Sequence, residues 1–236
     1  MYYEPGRTPH NLPHDPFKSC VVPRPIGWIS TLSRNGCHNL APYSQFQNLT
    51  YDPPYVMFSA NQKTCGGRKD TTVNVEETGE FVWNMATYAL REAVNKSAQE
   101  VPFGADEFGL AGVTKAPSRL VRPCRVAESP IHFECRYHQT LRLPGQGTMG
   151  TVDIVIGRVV AIHIDDAVLR PDGKIDVLKI RPLARLGYYD YTSVDHLFEM
   201  VIPGNNRAIL EGLEGAAGAV SKERLEPAGA QHEVIS

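Results

Sequence analysis

Two basic and two hydroxyl-bearing residues meet where a short helix is predicted to begin, in the run Arg68-Lys69-Asp70-Thr71-Thr72. Asp70 is a candidate N-cap, and Gly79 stands just past the expected end of the helix. The first turn of a helix has N–H groups without intrahelical partners and a partial positive charge, which together favour phosphate binding. A capped helix with merely solvated basic side chains explains the same residues, and both interpretations remain open at this point.

Residues 39–44, with the sequence NLAPYS, alternate polar and small side chains near the end of a predicted strand. Together with Arg24-Pro25 on a neighbouring strand, this pattern would leave space and hydrogen-bond partners for a flat ligand. A barrel strand with a proline-distorted rim would give the same pattern without a ligand.

The run Gly145-Gln146-Gly147-Thr148-Met149-Gly150 matches the G-x-G-x-x-G pattern of dinucleotide-binding folds. That fingerprint must open a helix, because the pyrophosphate lies at the N-terminus of the helix. Here the β-branched sequence TVDIVIGRVV follows instead. We therefore expect the loop of a β-hairpin and no Rossmann fold.

Metal and nucleophile motifs are not found in the sequence. The five cysteines form no C-x-x-C pair, and the Cys and His ligand set of a zinc finger is not present. No G-x-S-x-G motif is present. We expect no metal site.

Most of the secondary structure predicted around these residues is β-strand. Predicted strands cover residues 20–31, 38–48, 55–60, 81–86, 131–143 and 149–164, with a further short strand at 177–180. Helices are predicted from Asp70 to Thr78 and over residues 88–99, and Asn35-Gly36 marks a tight turn. Strands outnumber helices and do not alternate with them, so we predict an antiparallel barrel with a few peripheral helices.

Composition and charge limit the possible partners, the cellular compartment and the domain organisation. The chain has 236 residues and a net charge of −2, which gives no bulk attraction to nucleic acid or to an anionic membrane. An odd number of cysteines and the lack of a signal-peptide pattern or long apolar run favour a cytoplasmic protein. Three regions are expected: an N-terminal arm (1–19), one domain (20–204) and a partly helical or mobile tail (205–236).

Several segments, in order, resemble the flavin reductase-like family of FMN-binding split β-barrels, which includes flavoredoxins. The resemblance covers about residues 18–200 and is carried by residues 24–31, 39–44, 52–54, 69–74, 77–81, 126–131 and 182–187. It implies a mostly β protein, an antiparallel Greek-key split β-barrel, with bound FMN in a homodimer.

The resemblance also implies the residues that contact FMN. Lys69, Asp70 and Thr71 would hold the phosphate, in agreement with the helix-start argument, and Ser59 and Ala60 would lie nearby. The flavin ring and ribityl chain would be flanked by Arg24, Trp28, Ile29, Ser30, Thr31, Asn39, Leu40, Ala41, Pro42 and Ser44.

The function implied is an NAD(P)H-dependent flavin reductase that passes hydride from NADH or NADPH to FMN, with a monooxygenase or another redox protein as partner. The cofactor performs this chemistry, so no catalytic side chain is expected. The alternatives are a flavoredoxin-type electron carrier and a non-catalytic flavin-binding or interaction module.

Overall fold

The computed structural model describes residues 1–200, and its strands follow the β-rich order expected from the sequence. In chain order they are β1 (Arg24–Pro25), β2 (Gly27–Leu32), β3 (His38–Tyr43), β4 (Phe46–Tyr51), β5 (Pro54–Asn61), β6 (Glu80–Met85), β7 (Lys115–Ala116), β8 (Arg125–Val126), β9 (Ile131–Leu143), β10 (Val152–Ile164), β11 (Leu183–Gly187) and β12 (Asp190–Ser193).

The helices in the described part of the chain are short. They are α1 (Phe17–Cys20), α2 (Asp70–Thr78), α3 (Arg91–Lys96), α4 (Glu107–Ala111) and α5 (Val177–Ile180), with single 3-10 turns at Tyr88–Leu90 and Asp166–Val168. Gly79 ends α2 at φ 75°, where its N–H bonds the Val75 carbonyl, as the sequence predicts. The N-cap is Lys69, one residue before the predicted Asp70.

Seven strands form the main sheet in the order β3-β2-β6-β9-β10-β5-β4, and every neighbouring pair is antiparallel. The two edge strands, β3 and β4, are consecutive in the chain and are joined by Ser44 and Gln45. The sheet therefore curls until its edges lie close together without pairing. This is the predicted Greek-key split barrel with a few peripheral helices, and the fold-class prediction is confirmed.

Strand β2 is buried on both faces, including its two polar residues, Ser30 and Thr31. Ile29 points into the barrel, in one core cluster with Phe46, Phe58 and Trp83. Trp28 points the other way, into a second cluster with residues of α3 and α4. Because the strand alternates between these clusters, β2 fixes the helices to the outer face of the barrel.

The run at residues 145–150 lies in the loop of the β9–β10 hairpin, where Leu143 pairs with Val152. No helix follows it, so the expected hairpin loop is confirmed. A register shift interrupts the hairpin at Ile156 and Gly157, and Gly157 lies against Phe81 of β6.

Three sequence-based predictions of elements were wrong. Residues 177–180 form a helical turn rather than a strand, because Asp176 accepts a hydrogen bond from the Lys179 N–H at 3.0 Å and caps it. The strand predicted over 38–48 is two strands, broken at Ser44. The first strand begins only at Arg24, after α1 ends at Cys20.

The predicted N-terminal arm lies within the described residues. In the arm, the His14 ring lies 5.5 Å from the Tyr188 ring, so this segment contacts its own chain. The predicted tail at 205–236 falls outside the described residues. Among residues 1–200, no helix is long and apolar enough to cross a membrane.

Candidate functional site

The helix start and residues 39–44 meet at the buried side chain of Asn39. Thr71 in the first turn of α2 donates its hydroxyl hydrogen to Asn39 Oδ1 at 2.7 Å, and Thr31 of β2 donates to the same oxygen at 3.1 Å. Asn39 Nδ2 donates to Glu107 Oε1 at 2.9 Å. This network joins β2, β3, α2 and α4, so the two segments singled out in the sequence lie side by side.

Next to this network, Lys69, Thr64 and Glu100 form a corner at which a carboxylate is bound. Glu100 accepts hydrogen bonds from the Lys69 ammonium, from the Thr64 hydroxyl and from the Thr64 N–H at 3.2 Å. The Lys69 hydrogen bond, with the Thr64 bonds, lowers the pKa of Glu100 to about 2. The corner therefore already holds an anionic group with a cation, a hydroxyl and a backbone amide.

The neighbouring charges are engaged elsewhere. Lys63 pairs with the carboxylate of Asp70. Arg68 forms a bidentate pair with Glu76 at 2.5 and 2.6 Å and contacts Asp153 at 3.0 Å, which raises the pKa of the guanidinium. Of Arg68 and Lys69, the two basic residues of the predicted helix start, Lys69 is the one that lies at this corner.

The backbone of α2 adds donors at the same place. The first bond from an α2 amide to the preceding turn is Val73 N–H to the Lys69 carbonyl at 3.1 Å. The N–H groups of residues 70–72 therefore precede the helical ladder, and they carry the positive end of the helix dipole.

Two cavities adjoin at this site. A small one of about 100 Å³ is lined by residues of β3, the α2 start and the segment 97–101 after α3. A larger one of about 840 Å³ is lined by Arg24, Ile26, Ser44 and Tyr191, among others. Pro42 and Ala98 line both. The larger volume is within the 300–1,000 Å³ range of small-molecule sites.

Arg24 lines the larger cavity and ties the N-terminal arm to the barrel. Its Nη1 donates to backbone carbonyls of Lys18 and Val21, which ties α1 to β1. Its Nε is buried and has no hydrogen-bond partner within residues 1–200. Arg24 also lines the larger cavity, so its guanidinium group places a positive charge beside it.

The residues predicted to bind cofactor divide into two groups. Those that line one or both cavities are Arg24, Asn39, Ala41, Pro42, Ser44, Lys69, Asp70 and Thr71. Those that line neither described cavity are Trp28, Ile29, Ser30, Thr31, Leu40, Ser59 and Ala60.

Several members of the second group make structural contacts outside the cavities. Trp28 Nε1 donates to Ser97 Oγ at 2.9 Å and holds the segment after α3 that walls the small cavity. Ser30 Oγ donates to the Cys124 carbonyl at 2.6 Å. The Ser59 N–H donates to the Gln45 carbonyl at 2.9 Å, and Ile29 and Ala60 pack inside the barrel.

Sequence reasoning missed Lys63, Glu100 and the tyrosines that border the larger cavity, Tyr188, Tyr189 and Tyr191. The tyrosine run after the turn at Gly187 was a usable signal, because tyrosine combines a large apolar ring with a polar tip. Lys63 and Glu100 carry no local signal. Within residues 1–200 no cluster of His, Cys, Asp and Glu is arranged to hold a metal ion.

Comparison with known proteins places the chain among flavin-related proteins. A family model described as a flavin reductase like domain matches residues 19–192. An uncharacterized protein of Halalkalibacterium halodurans is 37% identical over 183 residues, which make up 78% of this chain and 87% of that protein.

Solved structures agree with this match. Nitrilotriacetate monooxygenase component B from Bacillus cereus superposes with a TM-score of 0.77 at 28% identity, over 85% of this chain and 98% of that one. Flavoredoxin of Desulfovibrio vulgaris (Miyazaki F) superposes with a TM-score of 0.64 at 19% identity, over 76% and 91% of the two chains, and so shares the fold.

Proposed function

Because the chain belongs to the flavin reductase-like family, we propose that it binds FMN and reduces it with NADH or NADPH. Family membership confirms the resemblance drawn from the sequence. The observation that carries the proposal is the contact between an anion-binding corner and a cavity of about 840 Å³, which share Pro42 and Ala98. FMN has the matching shape, with a phosphate at one end and a flat ring at the other.

At the phosphate end, Lys69 and the free amides of α2 would bind the anion. Hydrogen bonds between a charged donor and a phosphate are about twice as strong as neutral ones. The Asp70 carboxylate would repel a phosphate, so its contribution is its backbone N–H, while Lys63 neutralises its side chain. Glu100 must leave Lys69 and Thr64 when the phosphate binds.

At the ring end, the cavity offers apolar surface with a few polar groups. Ile26 and Pro42 would supply apolar contacts, and Ser44 and the Arg24 guanidinium would supply polar groups. FMN supplies the redox chemistry by accepting a hydride from reduced nicotinamide, and the protein supplies binding and orientation. No side chain is therefore assigned an acid–base role.

Membership of the family also guides our proposals for the oligomeric state and the partner protein. We propose a cytoplasmic homodimer, supported by the exposed tyrosines beside the larger cavity, of which Tyr189 is 95% exposed. Large exposed aromatic side chains are typical of interfaces. The likeness to a monooxygenase component B supports a partner monooxygenase that uses the reduced flavin. Light scattering at micromolar concentration is expected to give the dimer mass, and a monomer mass would contradict the dimer.

Anaerobic stopped-flow absorbance tests the reductase activity. Protein loaded with FMN is mixed with excess NADH or NADPH, and loss of the oxidised flavin absorbance within seconds is expected for at least one donor. An FMN complex that dithionite reduces but neither donor bleaches would contradict a reductase and favour an electron carrier. Protein that takes up no FMN would contradict flavin binding altogether.

A further inference from the structure

The loop between β5 and α2 carries the donor groups of the anion-binding corner. Thr64 lies in this loop, and Lys69 is the N-cap residue at its end. Residues 63–67 form a closed turn, in which the Lys63 N–H donates to the Gly67 carbonyl at 2.8 Å. The position of this turn therefore decides where the hydroxyl and the amide of the corner lie.

Both residues that flank the turn bond to one buried carboxylate. Gln62, before the turn, donates from Nε2 to Asp153 Oδ2 at 3.3 Å, and Arg68, after the turn, donates from Nε to the same oxygen at 3.0 Å. Asp153 lies on β10 and is 1% exposed. Because β10 is paired with β5 and β9 in the main sheet, this carboxylate fixes both ends of the turn to the barrel.

Arg68 extends this contact to α2. Its two Nη atoms bond the Glu76 carboxylate of α2 at 2.6 and 2.5 Å. The planar guanidinium holds its donors in a fixed geometry, so it can bond both carboxylates at once. Arg68 therefore sets the position of the α2 start relative to β10, and Lys69 follows it directly in the chain.

Stability alone does not account for a carboxylate at residue 153. Desolvation of two charges offsets much of their attraction, so a buried ion pair is weak evidence of a stabilising role. Val155, two positions along β10 and on the same face of the strand, is buried and apolar. The carboxylate thus lies on a face that otherwise favours apolar packing, and what it supplies there is a fixed geometry for the turn.

We propose that Asp153 is a positioning residue of the anion-binding corner, which holds Thr64 and Lys69 where they can bind the phosphate of FMN. Asp153 lines neither of the two adjoining cavities, so it acts on the ligand through the turn and through Arg68. This inference rests on the proposed binding of FMN, and it adds the residue that sets the preference for a phosphorylated flavin.

Asp153→Asn tests the proposal in fluorescence titrations with FMN and with riboflavin, which lacks the phosphate. The amide has nearly the same volume but no charge, so its bonds to Arg68 and Gln62 are weaker. We expect FMN binding to weaken about five- to tenfold, because the donors of the corner lose their fixed positions. Riboflavin binding should stay unchanged, so the ratio of the two affinities falls.

Glu80→Gln is the matched control for these titrations. Glu80 is also a buried carboxylate on a strand of the main sheet, where it accepts from Arg122 Nε at 3.2 Å and from Arg136. It lines neither cavity. A merely structural effect of a lost buried charge would appear in both variants, whereas the positioning role predicts a lower FMN-to-riboflavin ratio in Asp153→Asn alone.

A second measurement needs no flavin. Lys69 and Thr64 lower the pKa of Glu100 to about 2, so NMR of the flavin-free wild-type protein should show an ionised Glu100 carboxyl down to about pH 4. In Asp153→Asn we expect this pKa to rise toward its ordinary value of 4.5. If Asp153→Asn does not fold, Arg68→Lys replaces it in both measurements, because lysine lacks the guanidinium fork.

An unchanged FMN-to-riboflavin ratio in Asp153→Asn, or an equal fall in Glu80→Gln, would overturn the positioning role. A Glu100 pKa that stays low in Asp153→Asn would also contradict it. If the wild-type protein binds no FMN but the Glu100 pKa rises in Asp153→Asn, the proposed binding of FMN fails while the positioning role of Asp153 stands.

Discussion

Thr71 donates its only hydroxyl hydrogen to Asn39 Oδ1, across 2.7 Å between the first turn of α2 and strand β3. The hydroxyl therefore cannot donate to a phosphate while this bond exists. The Thr71 side chain holds the helix start against the strand, and we propose that residue 71 would contact a bound phosphate through its backbone N–H.

Replacement of Thr71 by Val tests this division of roles. The change keeps the volume and removes the bond to Asn39, so we expect a loss of about 1 kcal/mol of unfolding free energy and FMN binding weakened several-fold. Thr78→Val is the control, because the Thr78 hydroxyl bonds the Asn74 carbonyl at 2.7 Å in the same helix but outside the site. Urea unfolding and FMN fluorescence titration give the two quantities. Equal FMN affinities for both variants would rule out the proposed role of residue 71.

Glu100 competes with any anion for Lys69 and Thr64. We therefore expect Glu100→Gln to tighten FMN binding several-fold, because an uncharged amide is displaced more easily from the ammonium than a carboxylate. Glu128→Gln is the matched control, since its carboxylate accepts from the Thr114 N–H at 2.9 Å on another part of the surface. Weaker FMN binding by Glu100→Gln in fluorescence titration would show that Glu100 assists binding rather than competes.

His132 on β9 is buried and predicts a pH dependence of stability. Its Nε2 lies 2.8 Å from the Val126 carbonyl and so donates, which leaves Nδ1 as an unprotonated acceptor. Burial lowers the pKa of His132 from 6.5 to about 4, against an opposing effect of the Val126 bond; nearby Arg125 and His163 lower it further, and Glu134 raises it.

The sign follows from the lowered pKa. As the pH falls from 6.5 to about 4, the unfolded chain takes up a proton at residue 132 and the folded chain does not, so stability decreases. The contribution is up to about 3 kcal/mol. His132→Gln keeps an N–H donor and removes the titration. Urea unfolding at pH 7 and pH 4.5 should show a smaller loss for this variant than for the wild type, and an equal loss would contradict the assignment.

Gly157 allows Phe81 to close the barrel core. A Cβ at residue 157 would lie 2.3 Å from Phe81 Cε1 and 2.4 Å from its Cζ. We expect Gly157→Ala to destabilise the fold by about 1–3 kcal/mol through overpacking. Gly109→Ala in α4, where a Cβ meets nothing within 4 Å, should stabilise slightly. Urea midpoints for the two variants should therefore move in opposite directions, and a shift in the same direction would count against this packing.

The sequence predicts local structure better than it predicts the site. The strand-like runs at 131–143 and 149–164 and the Gly79 cap of α2 are local patterns, and the elements they predicted are present. The short apolar run at 177–180 was ambiguous, because four residues show no period and the Asp176 cap decides.

The site itself depends on contacts between distant segments. Asn39 and Thr71 are 32 positions apart, and Lys69 and Glu100 are 31 apart. Periodicity does not report such contacts, which explains why Glu100 was missed. The family resemblance supplied the pairing of residues 39–44 with the α2 start, and the structure gives it a physical form in the Asn39 network.

We propose that Lys69 binds the phosphate of FMN, and this contact can be measured by comparing the binding of FMN with that of riboflavin. Riboflavin lacks the phosphate, so the wild-type protein should bind FMN about tenfold or more tightly than riboflavin. Lys69→Met should remove most of that difference and leave riboflavin binding unchanged. Lys115→Met, which removes a lysine paired with Asp106, is the control. A FMN-to-riboflavin affinity ratio in Lys69→Met equal to that of the wild type would contradict the claim.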